Sequence, residues 1–545
     1  MPRKPPPFWL AGLALGGVIS LGWGLWLQVH PPGKAGVATP AAEKGSEKTA
    51  LPSPVQAGSG TWTAAAPIAK ARQAARCADC DIVVVTLCSL RRDYWGVYGA
   101  TPSPTPNLDH LADGAFRMDQ AWAASNFTLA GLTAVLTGRF GSSTGVTGWD
   151  KGLVKDVPTL PEILGYYGYH TGGFTIDAPS GFRPDYGLDR GFQLMQIIPA
   201  PRDTPDGRLN GGAIGPGGAS ARPAAAWIAA QDPGVPIFAM FHSRTAHYPF
   251  VVEDDPRDPT GVSQLLWASG GTQTGRAMPG TAGGTAQRGV VQIAGPDPVQ
   301  VGVKKAGDAG LLMWKQRYRE AVARMDLDLG VIAEALAARG RPTILVILAD
   351  HGESLGDHGE LLHGDAYFDG VVHIPMILKI PGMTGHPIAA LSSQVDLLPT
   401  LLELVGATVP AGIDGASLLP VLDGKSDTIR STTLVEGGVS WHNDAIARGA
   451  VIAPPWALLR QDRGCTGGQE APRKPGDPAV CLYNLEQDPG QDHSVTVDHP
   501  DVVQDLLSRW DRFRIARGST GETLRLDPAY VRQLQQTGYD FRPGP

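Results

Sequence analysis

The sequence predicts an α/β protein with a mainly parallel central sheet flanked by helices, and two observations lead to this prediction. First, the runs Ile82–Leu87 and Thr343–Leu348 are β-branched and apolar without polar alternation, as is typical of strands buried on both faces. Second, helical patterns lie between such runs, and strands that alternate with helices form parallel sheets covered on both faces. After about residue 430 the pattern changes to short strands and a final helix, which predicts a smaller C-terminal α+β subdomain.

The same patterns predict the individual elements. Pro106 introduces a predicted helix over Asn107–Ala115, with Asn107 as its cap, and a second, amphipathic segment is predicted for Thr128–Leu136. The remaining predicted elements are the strands Thr171–Ile176, Val235–Phe241 and Pro375–Ile380, a long helix over Leu312–Arg339, the C-terminal strands Gly449–Leu459 and Cys481–Leu485, and a last helix over Val502–Ala516.

Changes of composition divide the 545-residue chain into predicted domains. Residues 31–75 are rich in Ala, Pro, Gly, Ser and Lys without an apolar period, which predicts a disordered linker. A large domain is predicted over 76–430, with a Gly-, Thr- and Gln-rich surface insertion at about 254–310. The C-terminal subdomain then covers 431–545.

The N-terminus has the pattern of a membrane anchor. Arg3 and Lys4 precede an uncharged run over Phe8–Val29, which has about the 20 residues that a membrane-spanning helix needs. The run ends without a small-residue cleavage site, so we predict an uncleaved anchor over residues 1–30, with a cleaved signal peptide as the alternative. The positive residues should stay inside. We therefore predict a single-pass protein of the cell inner membrane with a periplasmic or otherwise extracytoplasmic body.

Charge and cysteine content agree with an exported protein. The formal net charge of −7 provides no basic field, which argues against a nucleic acid partner. Cys77 and Cys80 form a C-x-x-C pair, Cys465 and Cys481 flank a polar loop, and Cys88 is left over. In an oxidising compartment this predicts two short disulfides and one free thiol. A metal-binding cluster of Cys77, Cys80 and Cys88 is the open alternative.

Reactive side chains follow the ends of predicted strands, where ligands bind in parallel α/β sheets. The strand Thr343–Leu348 leads into Asp350 and His351, which offer the oxygen and nitrogen ligands of a divalent metal. The first strand ends at Cys88. Thr128 starts a predicted helix, where unpaired N–H groups favour an anion. Taken singly, an Asp-His pair is more often structural and Thr128 is a good helix cap.

Taken together, these segments resemble the sulfatase family of the alkaline-phosphatase-like superfamily. In residues 86–138 the chain has TLCSLRRD, YG, TPNLDHLA and LTG, where the family has an acidic ligand followed by TLRxD, YG, TPNLDxLA and LLTG. Further blocks follow in family order: AHYP at 246–249, SLGDHG at 354–359, HG at 363–364, IP at 374–375, VDLLPTL at 395–401, DGASL at 414–418 and LYNL at 482–485. The resemblance covers about residues 80–515.

This resemblance implies roles for six residues. Thr128 lies at the position of the nucleophile, and Asp350 and His351 lie at positions of metal ligands. Cys88 occupies the position of the first acidic metal ligand. His247 and His363 lie where the family keeps substrate-side histidines, which suit proton transfer or anion binding. The alternative for these two is an ordinary surface or core histidine.

Two departures from the family pattern refine the prediction. Sulfatases mature a Cys or Ser within C/S-x-P-x-R to formylglycine, whereas this chain has Thr128 followed by neither the Pro nor the Arg. A threonine nucleophile is similar to that of phosphodiesterases, phosphoethanolamine transferases and lipoteichoic acid synthase. The thiolate of Cys88 would complete a Cys88/Thr128/Asp350/His351 site for zinc, and it suits manganese or calcium less well. The alternative is a buried apolar Cys88 in a site that has lost its metal.

The sequence therefore predicts a membrane-anchored hydrolase or phosphotransferase for phosphate esters, and less readily for sulfate esters. Its substrate would be an anionic ester of the cell envelope, such as a lipid headgroup or a glycan. The alternative is a catalytically inactive relative that binds an anionic envelope component or a protein partner.

Overall fold

The computed structural model describes residues 75–176, 181–198, 218, 220–248, 250, 258–262, 298–364, 366–437, 448–462, 464–467, 478–517 and 522–524. All of these residues belong to one compact unit. The predicted anchor over 1–30, nearly all of the predicted linker and most of the predicted insertion lie outside the described residues. Within the described part of the chain, no helix is both long and apolar enough to span a bilayer.

The central sheet has eight strands, in the spatial order β8-β2-β7-β6-β1-β5-β3-β4. The strands are β1 (Asp81–Leu87), β2 (Phe116–Trp122), β3 (His170–Ile176), β4 (Leu194–Ile198), β5 (Ile237–Ser243), β6 (Thr343–Ala349), β7 (Met376–Lys379) and β8 (Pro387–Ser393). Only β7 runs antiparallel to its neighbours β6 and β2. Every residue of β1 is buried, as its continuous apolar pattern predicts for the middle of a sheet covered on both sides.

Helices cover the sheet and complete its core. The longer ones are α1 (Pro106–Leu111), α2 (Thr128–Thr137), α3 (Leu160–Tyr166), α4 (Arg222–Ala230), α5 (Pro298–Arg339), α6 (Leu397–Val405) and α7 (Pro500–Arg517). Single turns of helix lie at Arg92–Tyr94, Gly96–Tyr98, Gly141–Thr144, Pro184–Tyr186, Asp357–Gly359, Asp369–Val372, Gln394–Asp396 and Leu419–Leu422. Short two-residue ribbons pair Lys151–Gly152 with Glu522–Thr523 and Ser354–Leu355 with Leu361–Leu362.

A second, antiparallel sheet lies in the C-terminal part of the chain, where the sequence predicts short strands and a final helix. Its strands follow one another in sequence order: β9 (Thr433–Glu436), β10 (Gly449–Ala453), β11 (Trp456–Gln461) and β12 (Ala479–Asn484). Helix α7 packs on this sheet through the buried Trp510, which shares a hydrophobic cluster with Val451 and Leu458. The predicted strand Gly449–Leu459 is thus two strands of a hairpin.

Several sequence predictions are corrected at this level. Helix α1 begins at Pro106 with Thr105 at its N-cap, so Asn107 is not the cap. The Asn107 amide instead donates to Asp326 Oδ2 at 2.8 Å. All ten residues of α2 are buried, so this helix is not amphipathic. Helix α5 begins at Pro298, inside the predicted insertion, and its backbone leaves helical geometry at Gly307.

The cysteines are arranged as the export argument predicts. Cys77 is bridged to Cys80 and Cys465 is bridged to Cys481. Cys88 is a buried free thiol. Because Cys77 and Cys80 are joined to each other, the alternative of a three-cysteine metal cluster with Cys88 is wrong.

Candidate functional site

Three adjacent strands of the central sheet deliver the candidate site residues at their carboxyl ends. Leu87 of β1 is level with Ala349 of β6 on one side and with Ser243 of β5 on the other. The next residue of each chain segment therefore lies at the same edge of the sheet: Cys88, Asp350 and Arg244. The backbone N–H of Cys88 donates to the Ser243 carbonyl at 2.8 Å, which ties the first and third of these segments together.

Helix α2 brings Thr128 to the same edge. Thr128 is the first helical residue and Phe127 is the N-cap, which has no side-chain capping bond, so Thr128 is not the cap. The first-turn N–H groups and the positive end of the helix dipole thus lie beside the Thr128 hydroxyl. Gly131 permits this approach, because a Cβ there would lie 2.9 Å from the Asp350 carbonyl oxygen.

Four of the predicted site residues meet in one buried cluster. Thr128 Oγ1 lies 3.1 Å from His351 Nε2 and 3.5 Å from Cys88 Sγ. His351 Nε2 lies 3.5 Å from Asp350 Oδ2. The potential ligand atoms of Cys88, Asp350 and His351 all lie within 4.8 Å of one another, and all four side chains are fully buried. The structure therefore brings together every residue that the sequence predicts as a metal ligand.

The two carboxylate oxygens of Asp350 have different surroundings. Oδ1 accepts from the backbone N–H groups of Ser89 at 3.2 Å and His351 at 2.8 Å. Oδ2 is buried and accepts no hydrogen bond from the described residues. Gln394 holds the backbone here by donating to the carbonyls of Ala349 and Asp350 at 2.9 and 2.8 Å. An unsatisfied buried carboxylate oxygen is costly, so a cation beside Oδ2 would stabilise the site.

His351 presents a lone pair to the cluster. Its Nδ1 lies 2.8 Å from the Gly352 carbonyl oxygen, which can only accept, so Nδ1 carries the proton and Nε2 faces Thr128 and Asp350. Burial lowers the pKa of His351 to about 4, although the Asp350 charge opposes this. A neutral imidazole whose other nitrogen is held by a carbonyl is the form in which histidine binds a metal.

The chemistry of the donor set fits a soft or borderline divalent metal. One sulfur, one carboxylate oxygen and one imidazole nitrogen are ligands that zinc accepts, whereas calcium prefers oxygen alone. Burial, and then the Asp350 charge, raise the pKa of the Cys88 thiol. A bound cation would reverse this effect, because metal coordination lowers the pKa of a thiol.

His247 and His363 stand beside this cluster as the resemblance implies. The His363 ring centroid lies 4.1 Å from that of His351 and 4.9 Å from that of His247. His247 Nδ1 lies 2.5 Å from the Tyr248 carbonyl oxygen, so its lone pair is on Nε2. His363 Nδ1 lies 3.0 Å from Glu353 Oε1. Burial lowers the pKa of both histidines, to about 3 for His363, which favours their neutral forms.

Sequence reasoning missed two residues of this neighbourhood. Glu353, two residues after His351, is fully buried and contacts His363. Burial raises the pKa of Glu353 to about 8. Arg244 is 7% exposed and directly follows β5, three residues before His247. The strand-end rule that finds Cys88 and Asp350 did not reach Arg244, because the predicted strand ends at Phe241 whereas β5 continues to Ser243.

Comparison with known proteins agrees with this fold. The sulfatase family model matches residues 81–407. The chain is 24% identical over 480 residues to the Delta 4,5-hexuronate-2-O-sulfatase of Bacteroides thetaiotaomicron, covering 83% of this chain and 92% of that protein. It is 24% identical over 400 residues to the N-acetylglucosamine-6-O-sulfatase of the same organism, covering 61% and 68%. The phosphonate monoester hydrolase of Agrobacterium radiobacter superposes with a TM-score of 0.58 at 17% identity, covering 80% of this chain and 96% of that structure.

The match to the family model places the chain among the hydrolases of the sulfatase superfamily. Because the family model covers more than half of its residues, the chain belongs to the sulfatase family.

Proposed function

We propose that this protein is a metal-dependent hydrolase or transferase that cleaves phosphate esters, and less readily sulfate esters, with Thr128 as the nucleophile. The observation that carries this proposal is the meeting of Thr128 Oγ1 with Cys88, Asp350 and His351 at the N-terminus of α2. A hydroxyl in this position is surrounded by groups that can activate it and by N–H donors that can stabilise an anion.

Four atoms would hold the metal: Cys88 Sγ, Asp350 Oδ2, His351 Nε2 and Thr128 Oγ1. Their softness and number favour zinc over manganese or calcium. Bound there, the metal would supply the positive charge that favours the alkoxide of Thr128 and polarises the ester.

The chain's own residues then account for two successive transfers. Thr128 Oγ1 attacks the phosphorus, the Oγ1–P bond forms, and the bond from phosphorus to the oxygen of the leaving alcohol breaks. The proton lost by the Thr128 hydroxyl balances the one that the departing alcohol gains. Water, or an acceptor hydroxyl in a transferase, next attacks the same phosphorus. The Oγ1–P bond breaks, phosphate or the new ester leaves, and the proton of the incoming hydroxyl restores the Thr128 hydroxyl. His247 Nε2 carries a lone pair suited to accept the proton of that incoming hydroxyl.

The choice between phosphate and sulfate esters rests on Thr128. The two curated relatives are named as sulfatases and the structural neighbour as a phosphonate monoester hydrolase. A threonine cannot be matured to formylglycine, whose chemistry sulfatases use, and it can form a simple phosphoester. We therefore favour phosphate as the group that is transferred.

The nucleophile is tested by assaying the purified full chain with zinc against bis-p-nitrophenyl phosphate, p-nitrophenyl phosphate and p-nitrophenyl sulfate. Thr128→Ala should abolish turnover and Thr128→Ser should keep part of it. Thr137→Ala is the matched control, because Thr137 lies on the same helix, is buried, and donates to the Thr133 carbonyl. Equal turnover by Thr128→Ala and wild type would contradict the nucleophile. No turnover by the wild type on any ester would favour the alternative of an inactive relative that binds an anionic envelope component.

We also propose that the body of the protein is extracytoplasmic and anchored by residues 1–30. The support is the charged and apolar pattern of that segment and the two disulfides, which persist in oxidising compartments. The envelope would then supply the anionic substrate, a lipid headgroup or a glycan. Protease digestion of spheroplasts should cleave the chain while a cytoplasmic marker stays intact. Protection of the whole chain until the membrane is lysed would contradict this location.

A further inference from the structure

Arg244 is a buried cation that forms no ion pair with the described residues, and it lies at the edge of the candidate site. Arg244 is 7% exposed, and its Nε has no hydrogen-bond partner among the described residues. Its guanidinium likewise forms no ion pair with a described carboxylate. Arg91, which is 8% exposed, differs in this respect, because it is paired with both Asp93 and Asp357.

An unpaired guanidinium in this environment is unfavourable for the isolated protein. Burial removes water from a charged group, and the loss is compensated only by an opposite charge or by hydrogen bonds. A residue that keeps such a charge gains a compensating partner when an anion binds beside it. Arginine suits this task, since its planar fork donates two parallel hydrogen bonds to the oxygens of a phosphate or sulfate group.

The turn that carries Arg244 also carries His247, another residue of the candidate site. The backbone N–H of His247 donates to the Arg244 carbonyl at 3.0 Å, so one turn holds both residues. Burial is the main cause that lowers the pKa of His247, and the positive charge of Arg244 lowers it further. Arg244 directly follows Ser243 of β5, which is level with Leu87 of β1 and accepts from the Cys88 N–H at 2.8 Å, so Arg244 and Cys88 lie at the same ends of adjacent strands.

Hydroxyl groups next to the Asp328 carboxylate hold the turn that contains Arg244. Thr245 Oγ1 donates to Asp328 Oδ2 at 3.4 Å and lies 3.3 Å from Ser243 Oγ. Asp328 is 2% exposed and extends from α5. Residues on both sides of Arg244 are thus anchored, while the Arg244 side chain itself is not.

We infer that Arg244 is the anion-binding residue of the site, donating to the non-bridging oxygens of the phosphate or sulfate group that Thr128 attacks. This inference rests on the proposed function and adds a substrate-binding residue to it. It also accounts for the absence of an arginine at the fourth position after Thr128, where the formylglycine motif of sulfatases has one. In this chain β5, and not α2, would supply the guanidinium.

The test is anion binding by the metal-free full chain, measured as the rise in thermal midpoint on adding inorganic phosphate or sulfate at constant ionic strength. Arg244→Met should weaken the binding of both anions about 10- to 100-fold, as expected for lost hydrogen bonds to a charged group. Arg244→Lys keeps the charge without the fork, so its loss should be smaller. Arg222→Met is the control, because Arg222 is an exposed arginine on α4. Its anion response should equal that of the wild type.

The stability of the anion-free protein provides a readout that a structural role would not give. Because it removes an unpaired buried charge, Arg244→Met should have a thermal midpoint equal to or above that of the wild type. In steady-state kinetics with an ester that the wild type hydrolyses, Arg244→Met should raise KM. Thr128→Ala should instead lower kcat to nearly zero.

Two results would overturn the inference. One is an unchanged anion affinity in Arg244→Met, and the other is a lowered midpoint together with an unchanged KM. Either could occur while the wild type hydrolyses esters, which would leave the proposed function intact. Anion binding that depends on Arg244 in a chain that turns over no ester would instead support the inference and contradict the enzyme.

Discussion

Buried charges have different surroundings at the two edges of the central sheet: the amino edge, where its parallel strands begin, and the carboxyl edge, where they end. At the amino edge, Asp81 of β1 is fully buried and bound on every side: Arg339 Nε lies 2.6 Å from Oδ2, Arg341 Nε lies 3.1 Å from Oδ1, and the Ile237 N–H donates to Oδ1 at 3.0 Å. At the carboxyl edge, Asp350 Oδ2 and Arg244 Nε are buried without hydrogen-bond partners among the described residues.

This difference separates a structural ion pair from a binding site on the same strands. A satisfied buried charge stabilises the one arrangement in which it is satisfied, and it needs nothing from outside the chain. An unsatisfied buried charge destabilises the isolated protein and becomes favourable only when a ligand of opposite charge arrives. Among the described residues, the carboxyl edge thus holds unsatisfied buried atoms of both signs, which suits a metal cation and the anionic group of an ester.

The largest expected effect is on stability, at the amino edge. Asp81→Asn leaves the Arg339 and Arg341 guanidinium groups without their counter-charge and should lower the free energy of unfolding by about 3–5 kcal/mol. Urea denaturation followed by circular dichroism measures this change. The remaining folded protein should keep the wild-type kcat/KM. A stable Asp81→Asn variant with lost activity would break the comparison.

The corresponding change at the carboxyl edge should affect function and spare stability. Asp350→Asn keeps an oxygen for the Ser89 and His351 N–H groups but removes the charge, so the free energy of unfolding should change by less than about 1 kcal/mol. Turnover should fall about 100- to 1000-fold, as when a principal electrostatic stabiliser is lost. Steady-state kinetics and urea denaturation on the same preparation check both parts. Strong destabilisation with residual activity near that of the wild type would show that Asp350 is structural.

The buried carboxyl group of Asp328 should make the free energy of unfolding depend on pH. Burial raises the pKa of Asp328 to about 6, although the hydrogen bond from the Thr245 hydroxyl lowers it. Since the folded state then holds the proton more tightly than the unfolded state, this residue's contribution to stability falls as pH rises from about 4 to about 6. The gap of roughly two pH units corresponds to about 3 kcal/mol.

Asp328→Asn should remove this part of the pH dependence. Urea denaturation at pH 4 and pH 7 should show that the wild type loses more stability across the interval than the variant does. Equal losses would mean that Asp328 is ionised across the whole range.

The smallest effect concerns an ion pair at the surface. Arg76 is 37% exposed and is paired with Asp423. Solvent screens this pair, so Arg76→Gln should change the free energy of unfolding by less than about 1 kcal/mol, in contrast to the change at Asp81. Thermal denaturation at low and high salt measures it. A decrease in the free energy of unfolding as large as that of Asp81→Asn would mean that solvent exposure does not explain the different strengths of the two ion pairs.

Much of the fold could be predicted from local pattern, and the exceptions have physical causes. The buried strands β1 and β6 are visible as apolar runs, and the disulfides follow from cysteine spacing. The antiparallel direction of β7 is not visible, because hydrophobic pattern is the same for either direction. Strands β2 and β8 pair with each other at one end of the sheet, where β2 has a mixed pattern of burial that gives no clear period.

The candidate site likewise contains residues that the sequence reveals and one that it does not. Cys88, Thr128, Asp350 and His351 could be selected because each follows a strand or starts a helix and because the family motif orders them. Arg244 could not be selected by type, since arginines are common and most are paired. What distinguishes Arg244 is the absence of a partner, and that property exists only in the folded arrangement of β5, α5 and the neighbouring loops.

The most direct test of the central claim is the metal content of the purified full chain by elemental mass spectrometry after supplementation with zinc. Wild type should hold about one zinc per chain, while Cys88→Ala and Asp350→Ala should hold almost none, because each removes one of the four side chains that would hold the metal. Asp81→Asn serves as the control from the opposite edge of the sheet and should keep its zinc when folded. A wild type that binds no zinc, or zinc that persists in both ligand variants, would contradict a metal site at the carboxyl edge.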